Sequence, residues 1–304
     1  MLSGEQDAVV GLIKARGPST GLEIKKEIDM DPLLLWKACK TCEALHVRTL
    51  GRRYLRLDRN VDGFARLSPS ILREFLTYSV VGLNGDPAAL DVKCAEITSR
   101  THKISRYKLD LARQMISGIM ADYTEMPLGL EICFIVAGDI IYNMGHDVPR
   151  PERSTGRLVK GSDIDLVVVV DNDTPEIVIK ALDEFIYQRK YRMLINPAVN
   201  EEVDYKIKKL SLIREQAQFE DFKHMVAIKI LQEGILISGS QNLFSTVKKI
   251  IRDRGISEKL DALEMRANIF RQQVEEAILK GTLDKAQIDN MHLFYSAEEF
   301  EEFE

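Results

Sequence analysis

The chain has 304 residues, of which 45% are hydrophobic and 29% charged, and it carries a formal net charge of −5. This length allows two domains or one core with appendages, and the composition is ordinary for a globular protein. No apolar run approaches a membrane span and the N-terminus does not read as a signal peptide, so we expect a cytoplasmic protein without a membrane partner.

The four cysteines are Cys39, Cys42, Cys94 and Cys133. Because they are few and most lie in apolar surroundings, we predict reduced core residues. Cys39 and Cys42 have the spacing of half a zinc site, but no second pair of Cys or His lies nearby, which argues against zinc.

Charge is spread unevenly along the chain. Residues 1–57 carry ten Lys or Arg against seven Asp or Glu, a net +3, whereas residues 258–304 carry five against twelve, a net −7. The basic N-terminal segment and the acidic C-terminal segment favour different partners. The last eight residues, Ala297–Glu304, are too acidic to pack alone.

The first predicted domain, residues 1–60, contains three short helices followed by two strands. The helices are expected at residues 5–15, at 22–28 and after Asp31-Pro32, where Asp31 is a helix cap. The strands are expected at 46–50 and 54–57. This order resembles the winged helix-turn-helix, with the two strands paired as the wing.

The predicted wing is basic, with Arg48, Arg52, Arg53 and Arg56 and no acidic residue among them. This suits contacts to nucleic-acid phosphates, which position a protein without reading sequence. The helix that would read bases begins Asp31-Pro32-Leu33-Leu34-Leu35, which is unusual for base contacts. The alternative is a module that binds protein or docks within the molecule.

A helical linker region is predicted over residues 61–126. Residues 58–67 are expected to be a linker, followed by a helix from Ser68-Pro69 to about Val81 and a long helix to about Tyr123. The predicted core, residues 127–210, then opens with a strand at 130–136 that runs into Gly138 and Asp139.

The most informative stretch is Gly161-Ser162-Asp163-Ile164-Asp165, followed by five aliphatic residues. The aliphatic run indicates a strand buried on both faces. Asp163 and Asp165 would then point to one side, roughly 7 Å apart at Cα. That spacing suits divalent cations, and Mg²⁺ completes its shell with water and substrate phosphates.

A third carboxylate is expected on a later strand. A helix starting at Thr174 and a strand at 191–195 come first, and residues 202–207 then alternate between acidic or basic and apolar side chains. Asp204 is the preferred third carboxylate, and Glu202 is the alternative. A polar-faced edge strand without a catalytic role would show the same alternation.

The G-S-D-I-D-L string resembles the metal-binding strand of the DNA polymerase β-like nucleotidyltransferase superfamily. The resemblance covers roughly residues 130–210. It implies that Asp163, Asp165 and Asp204 bind Mg²⁺ or Mn²⁺ and carry catalysis, and that Gly138, Gly161 and Ser162 contact the phosphates of a nucleoside triphosphate.

The chain departs from that family pattern in two places. Asp139 stands where the family has serine, and a carboxylate repels phosphate unless a metal intervenes. Twenty-four residues also separate Gly138 from Asp163, about twice the family's spacing.

The excess length is a basic insertion, Gly145–Lys160. It contains Arg150, Arg153, Arg157 and Lys160 against two acidic residues. The insertion could close over the triphosphate or the acceptor, with Arg157 and Lys160 best placed. The alternative is a solvated insertion without such a role.

The remaining segment, residues 211–304, reads as all helix with an acidic tail. The predicted fold class is therefore α/β (α+β): a nucleotidyltransferase core with a mixed sheet, an N-terminal winged helix and flanking helical regions. The predicted function is metal-dependent transfer of a nucleoside monophosphate from a nucleoside triphosphate, ATP by default, to a hydroxyl on RNA, protein or a small molecule. The alternative is a nucleic-acid-binding regulator whose core is inactive or senses a nucleotide.

Overall fold

The computed structural model describes residues 3–122, 130–152 and 155–295. Two predicted features, Arg153 of the basic insertion and the tail Ala297–Glu304, lie outside these residues. The described residues form eleven α-helices: α1 (Gly4–Arg16), α2 (Gly21–Glu27), α3 (Pro32–Thr41), α4 (Ile71–Tyr78), α5 (Pro87–Asp122), α6 (Glu176–Ile195), α7 (Leu210–Gln216), α8 (Phe222–Glu233), α9 (Gln241–Asp253), α10 (Ile256–Lys280) and α11 (Lys285–Asn290).

The same residues form eleven strands: β1 (Ser19–Thr20), β2 (Leu45–Thr49), β3 (Tyr54–Leu57), β4 (Ala65–Ser68), β5 (Ser79–Leu83), β6 (Ile132–Ala137), β7 (Pro149–Pro151), β8 (Leu158–Lys160), β9 (Ile164–Val170), β10 (Val203–Lys209) and β11 (Ile235–Gly239). None of the described helices is long and apolar enough to cross a membrane.

The described residues divide into two compact units. One contains the residues up to Thr101 together with those from Ala262 onwards, and the other runs from His102 to Asp261. This division differs from the four predicted segments, 1–60, 61–126, 127–210 and 211–304. The C-terminal residues belong to the N-terminal unit because their apolar side chains complete its core.

The core of the first unit is built by α1–α4, β5, α11 and the C-terminal half of α10. Trp36 of α3 is 2% exposed, and its ring lies 6.0 Å from that of Phe294, near the end of the described chain. The backbone N–H groups of Ile71 and Leu72 also donate to the carbonyls of Leu293 and Phe294. Asp31 caps α3 as predicted, accepting from the N–H groups of Leu33 and Leu34.

The predicted wing hairpin is wrong in its pairing. Both strands exist, but β2 pairs antiparallel with β5, and β3 pairs antiparallel with β4. β4 lies at the end of the stretch predicted as a linker, and β5 occupies the end of the predicted helix to Val81. These pairings leave a three-stranded sheet in the order β1-β5-β2 and a separate two-stranded pair.

An ion-pair network is buried within this unit. Glu74 of α4 accepts two hydrogen bonds from Arg53, at 2.6 and 2.7 Å. Arg271 of α10, with a side chain 1% exposed, lies 3.4 Å from Glu74 and also pairs with Glu275. Burial of Arg271 is tolerated because these carboxylates and the carbonyl of Pro69 compensate its charge.

The second unit is built on a mixed four-stranded sheet in the order β10-β9-β6-β11. β10 runs parallel to β9, whereas β6 is antiparallel to both β9 and β11. One face packs against α5 and α6 through a core that includes Ile116, Ile164, Leu166, Leu182 and Val203. Val167 and Val169 on the opposite face are also buried, so β9 is covered on both sides as its aliphatic run predicted.

Two further predictions in this unit are wrong. Residues 191–195, predicted as a strand, continue helix α6, and the helix predicted to run to Leu236 ends before β11, which forms one edge of the sheet. Ile235, Leu236 and Ile237 suit either a strand or a buried helix, and pairing with β6 decides between them.

The buried network gives a testable prediction for the first unit. Glu74→Ala removes a carboxylate whose side chain is 7% exposed and leaves Arg271 under-compensated. We expect the free energy of unfolding to fall by about 3–5 kcal/mol. Trp36 is the only tryptophan in the chain, so urea unfolding followed by its fluorescence reports on this unit.

The matched control is Glu276→Ala, whose pair with Lys280 is 68% exposed on both sides. This variant should lose less than about 1 kcal/mol. Equal effects of the two substitutions would contradict the structural role of Glu74.

Candidate active site

Four carboxylates lie at the start of the two parallel strands. Asp165 of β9 is the register partner of Asp204 of β10, and Ile164 is the partner of Val203. Asp163 comes immediately before Ile164, and Glu202 comes immediately before Val203. The Ile164 N–H donates to the Glu202 carbonyl at 3.0 Å. We call Asp163, Asp165, Glu202 and Asp204 the carboxylate face.

The direction of these side chains follows from the core. Ile164 and Val203 point into the α5–α6 core, so Asp165 and Asp204 project from the opposite face of the sheet. Neighbouring strands are about 4.8 Å apart, so the two carboxylates are direct lateral neighbours. Asp165 is half-buried and Asp204 is exposed.

Gly138 lets the end of β6 approach this face closely. Its φ is +82°, and a Cβ at this position would lie 2.5 Å from Oδ2 of Asp165. Any other residue would therefore collide with the carboxylate or displace it. Gly138 is thus beside Asp165, and its immediate role is to make room for that side chain.

Asp139 and Ser162 contact each other. The Ser162 hydroxyl donates to Oδ2 of Asp139 at 2.5 Å and accepts from the N–H of His146 at 3.0 Å. Gly161 has a φ of +53°, and a Cβ there would lie 2.1 Å from the His146 carbonyl oxygen. Asp139, His146, Gly161 and Ser162 therefore lie in close contact, and the Ser162 hydroxyl already bonds within the protein.

The geometry around Asp139 bears on the predicted phosphate contacts. Residues Asp139–Tyr142 form a single 3-10 turn. In place of a serine hydroxyl, this position presents a carboxylate that accepts from Ser162. Nucleotide binding by Gly138, Asp139, Gly161 and Ser162 stays a prediction.

The basic insertion contains a short hairpin, β7 paired with β8. Arg150 on β7 reaches the carboxylate face: its Nη1 lies 2.8 Å from Glu202 and its Nη2 lies 3.5 Å from Asp163. Its Nε donates to the Gly161 carbonyl at 2.7 Å. Burial raises the pKa of Glu202, and the nearby charge of Asp163 raises it further, whereas Arg150 opposes the increase.

Arg157 and Lys160, the residues predicted to be best placed, do not make these contacts. Arg157 is exposed, and Nζ of Lys160 lies 3.5 Å from the carbonyl of Ala198. Arg150 is one of four basic residues of the insertion, and nothing in the local sequence distinguishes it from the other three. Its position in the middle of β7, within ion-pair distance of Glu202, could not be read from local sequence.

A second feature missed by the sequence analysis is a buried ion pair. Lys108 of α5 pairs with Glu201, and both side chains are 1% exposed. Nζ of Lys108 also donates to the carbonyl of Lys160 at 2.8 Å, directly before Gly161. The sequence signal is a lysine next to Leu109, with which the apolar positions at helical spacing in the second half of α5 begin.

The predicted nucleic-acid contacts lie in the other unit. Arg53 belongs to the buried network with Glu74, and Arg48 pairs with Asp91. Arg52 and Arg56 are exposed. Nucleic-acid binding through these arginines stays a prediction.

Metal binding by the carboxylate face stays a prediction. In residues 3–122, 130–152 and 155–295, no three His, Cys, Asp or Glu side chains converge closely enough to hold a metal. Mg²⁺, however, is commonly bound by one or two carboxylates, with water and substrate phosphates as its other ligands. Asp165 and Asp204 provide such a pair.

A groove lies between α6 and β10, at the β10 edge of the sheet. It has a volume of about 490 Å³ and is lined by residues of β10, including Asp204, Tyr205 and Lys206. The α6 side contributes Lys180 and Lys190. Tyr205 is held there by its hydroxyl, which donates to Asp183 at 2.9 Å.

The mixed sheet with helices and the carboxylates at its strand starts are consistent with a nucleotidyltransferase core. The comparison with protein families supports this class, because residues 153–237 match the model described as a nucleotidyltransferase domain. The match contains Asp163, Asp165 and Asp204 and begins after Gly138 and Asp139. No curated protein and no solved structure matches the chain.

The Lys108–Glu201 pair gives a testable prediction for the second unit. Lys108→Met leaves the Glu201 carboxylate buried without its cation, and we expect a loss of about 3–5 kcal/mol in unfolding free energy at neutral pH. Burial raises the pKa of Glu201, so protonation favours the folded state. The loss should therefore shrink as the pH falls through that raised pKa.

Urea unfolding followed by circular dichroism measures this effect. The double variant Lys108→Met/Glu201→Gln serves as the control, since it removes both charges and should regain most of the stability. A double variant as unstable as the single one would show that the charge pairing is not responsible.

Proposed function

We propose that this protein transfers a nucleoside monophosphate from a nucleoside triphosphate, ATP by default, to a hydroxyl acceptor, with Mg²⁺ or Mn²⁺ as cofactor. The observation that carries the proposal is the parallel register of β9 and β10, which sets Asp165 beside Asp204. The nucleotidyltransferase family match over residues 153–237 supports it.

In this reaction the acceptor oxygen forms a bond to the α-phosphorus, and the bond from that phosphorus to the pyrophosphate oxygen breaks. The acceptor proton must leave, and pyrophosphate departs with the negative charge. A bound divalent cation would supply charge neutralisation for the phosphates. Asp165 and Asp204 would hold it, and Asp163 would complete the predicted catalytic set.

Asp204 would also act on the acceptor. Its side chain is exposed, and it projects from the face of the sheet opposite α5 and α6. A hydroxyl bound against that face would be oriented, or deprotonated, by this carboxylate. RNA, protein and small-molecule acceptors all remain within the proposal, because the fold does not choose among them.

One observation favours the alternative function, a regulator with an inactive or nucleotide-sensing core. Asp139 replaces the expected serine and accepts the Ser162 hydrogen bond, so a carboxylate stands where phosphates are held in the family. Triphosphate binding without transfer would support this alternative.

Transfer can be tested with the purified chain and each of four α-labelled nucleoside triphosphates. The reactions contain Mg²⁺, Mn²⁺ or a chelator, with and without RNA and cell extract. We expect metal-dependent label on the acceptor. Asp163→Asn, Asp165→Asn and Asp204→Asn should each reduce it by at least about 100-fold, because each removes charge that holds the cation or positions the acceptor.

The matched control is Asp173→Asn, in the exposed turn after the other end of β9, which should label normally. Labelling that survives all three aspartate substitutions would overturn the proposed chemistry.

Thermal unfolding without metal separates a catalytic from a structural role. Asp165→Asn should melt at the same temperature as the wild type or up to a few degrees higher, because it relieves repulsion from Asp204. A large decrease in its melting temperature would show that Asp165 is needed for folding, and its loss of labelling could then not be assigned to chemistry.

A further inference from the structure

We propose that two copies of this chain pair through the outer edge of β10, antiparallel and centred on Tyr205, so that their four-stranded sheets join into one. The inference goes beyond the proposed function and does not depend on it. It follows from the position of β10 at the end of the sheet and from the order of the charges along that strand.

The backbone of β10 has an open edge. The Glu202 carbonyl accepts from the N–H of Ile164 and therefore faces β9. Backbone groups alternate in direction along a strand, so the N–H and C=O groups of Val203, Tyr205 and Ile207 point away from β9. Within the described parts of the chain these groups have no backbone partner, because β10 ends the order β10-β9-β6-β11.

This edge is also accessible to a partner. The groove of about 490 Å³ beside it is lined by Tyr205 and Ile207. Proteins commonly protect an edge strand with a proline, a bulge or a lysine. β10 contains no proline, and its seven residues pair with β9 without a bulge. The remaining protection is Lys206, whose effect depends on the side chain that it meets in the partner.

The two charged side chains in the middle of β10 lie on one face of the sheet. Val203, Tyr205 and Ile207 pack towards the α5–α6 core, so Asp204 and Lys206 project from the opposite face. Both are exposed. Neither forms a hydrogen bond or an ion pair with any side chain that the structure describes, so both are available to a partner.

The order of these charges makes the strand complementary to itself. When two copies of β10 pair antiparallel about Tyr205, Asp204 lies opposite Lys206 of the partner subunit, and two-fold symmetry repeats this pair. Val203 likewise lies opposite Ile207 of the partner subunit. A two-fold axis at Asp204 or at Lys206 would instead place that residue opposite its own copy, and like charges directly opposite are destabilising.

The same register suits the backbone. Tyr205 has outward-facing N–H and C=O groups, so it forms a hydrogen-bonded pair with its own copy across the axis. Asp204 and Lys206 of the partner subunit then form a non-hydrogen-bonded pair, in which the Cα atoms are only about 4.5 Å apart. The unlike charges are therefore at the positions where opposite side chains lie closest.

Helix α6 adds exposed aromatic surface beside this edge. Asp183 and Lys190 of α6 line the groove, and Tyr187 lies between them at helical spacing on the same side of the helix. Tyr187 is 55% exposed, and Tyr191, one turn further on, is 49% exposed. A second copy paired with β10 would lie against this side of α6 and cover part of these rings.

Pairing is compatible with the proposed role of Asp204. An ionised carboxylate has two oxygens that accept from several partners, so contact with Lys206 of the partner subunit leaves an oxygen for a bound cation. The association itself can be measured without any nucleotide, metal or acceptor.

Sedimentation velocity of the full-length chain at pH 7, over a range of concentrations, tests the proposal. We expect wild-type dimers. Asp204→Lys and Lys206→Asp each place like charges opposite one another twice, so each variant alone should dimerise at least about 10-fold more weakly. An equal mixture of the two variants, one of them fluorescently labelled, should form heterodimers, because every opposed pair again has unlike charges.

The matched controls are Lys249→Asp and Asp253→Lys, two exposed positions of α9. They make the same changes of charge on a helix that packs against β6 rather than β10. Both should dimerise like the wild type. Circular dichroism shows whether each variant is folded.

Each other outcome would overturn the proposal. A wild type that is monomeric at every concentration excludes the dimer, and a dimer that neither reversal at β10 weakens is held by another surface. A mixture that associates no better than the separate variants excludes the register centred on Tyr205.

Amide hydrogen exchange of the wild type decides the question if the β10 variants do not fold. The N–H groups of Val203, Tyr205 and Ile207 should exchange at least about 10-fold more slowly when the chain is concentrated enough to associate, because pairing protects them. Exchange at these three positions that does not change with concentration would contradict pairing through β10.

Discussion

The candidate site depends on one constraint, the parallel register of β9 and β10. Asp165 lies beside Asp204 because Ile164 lies beside Val203, and both apolar residues are buried in the α5–α6 core. A slip of one residue would turn the apolar side chains towards solvent and the carboxylates towards the core. The packing energy of the core therefore also fixes the arrangement of charge on the opposite face of the sheet.

Local sequence predicted the features that depend on local pattern. The aliphatic residues after Asp165 indicated a buried strand, and the alternation around Asp204 indicated a strand with one polar face; both strands are present. The errors concern long-range partners. β2 was assigned to its neighbour β3, whereas it pairs with β5, and β11 was assigned to a helix because only pairing with β6 distinguishes the two conformations.

The roles of arginines were the hardest to predict. Arg53 was predicted to lie on a basic surface because no acidic residue stands between Arg48 and Arg56, yet its partners Glu74 and Glu275 are 21 and 222 residues away. Arg150 is similar, since Glu202 approaches it only after β10 has joined the sheet. A cluster of like charges along the chain therefore says little about a surface until the positions of the opposite charges are known.

The division of the first unit between two chain segments has a consequence for biosynthesis. Residues 102–261 lie between the two segments, so the ribosome completes the whole second unit before it makes the residues that close the core around Trp36. Until Phe294 has emerged from the ribosome, the N-terminal helices expose the apolar surface that the C-terminal residues later cover. During translation the second unit is thus able to fold first, and the first unit depends on the residues from Ala262 onwards or on a chaperone.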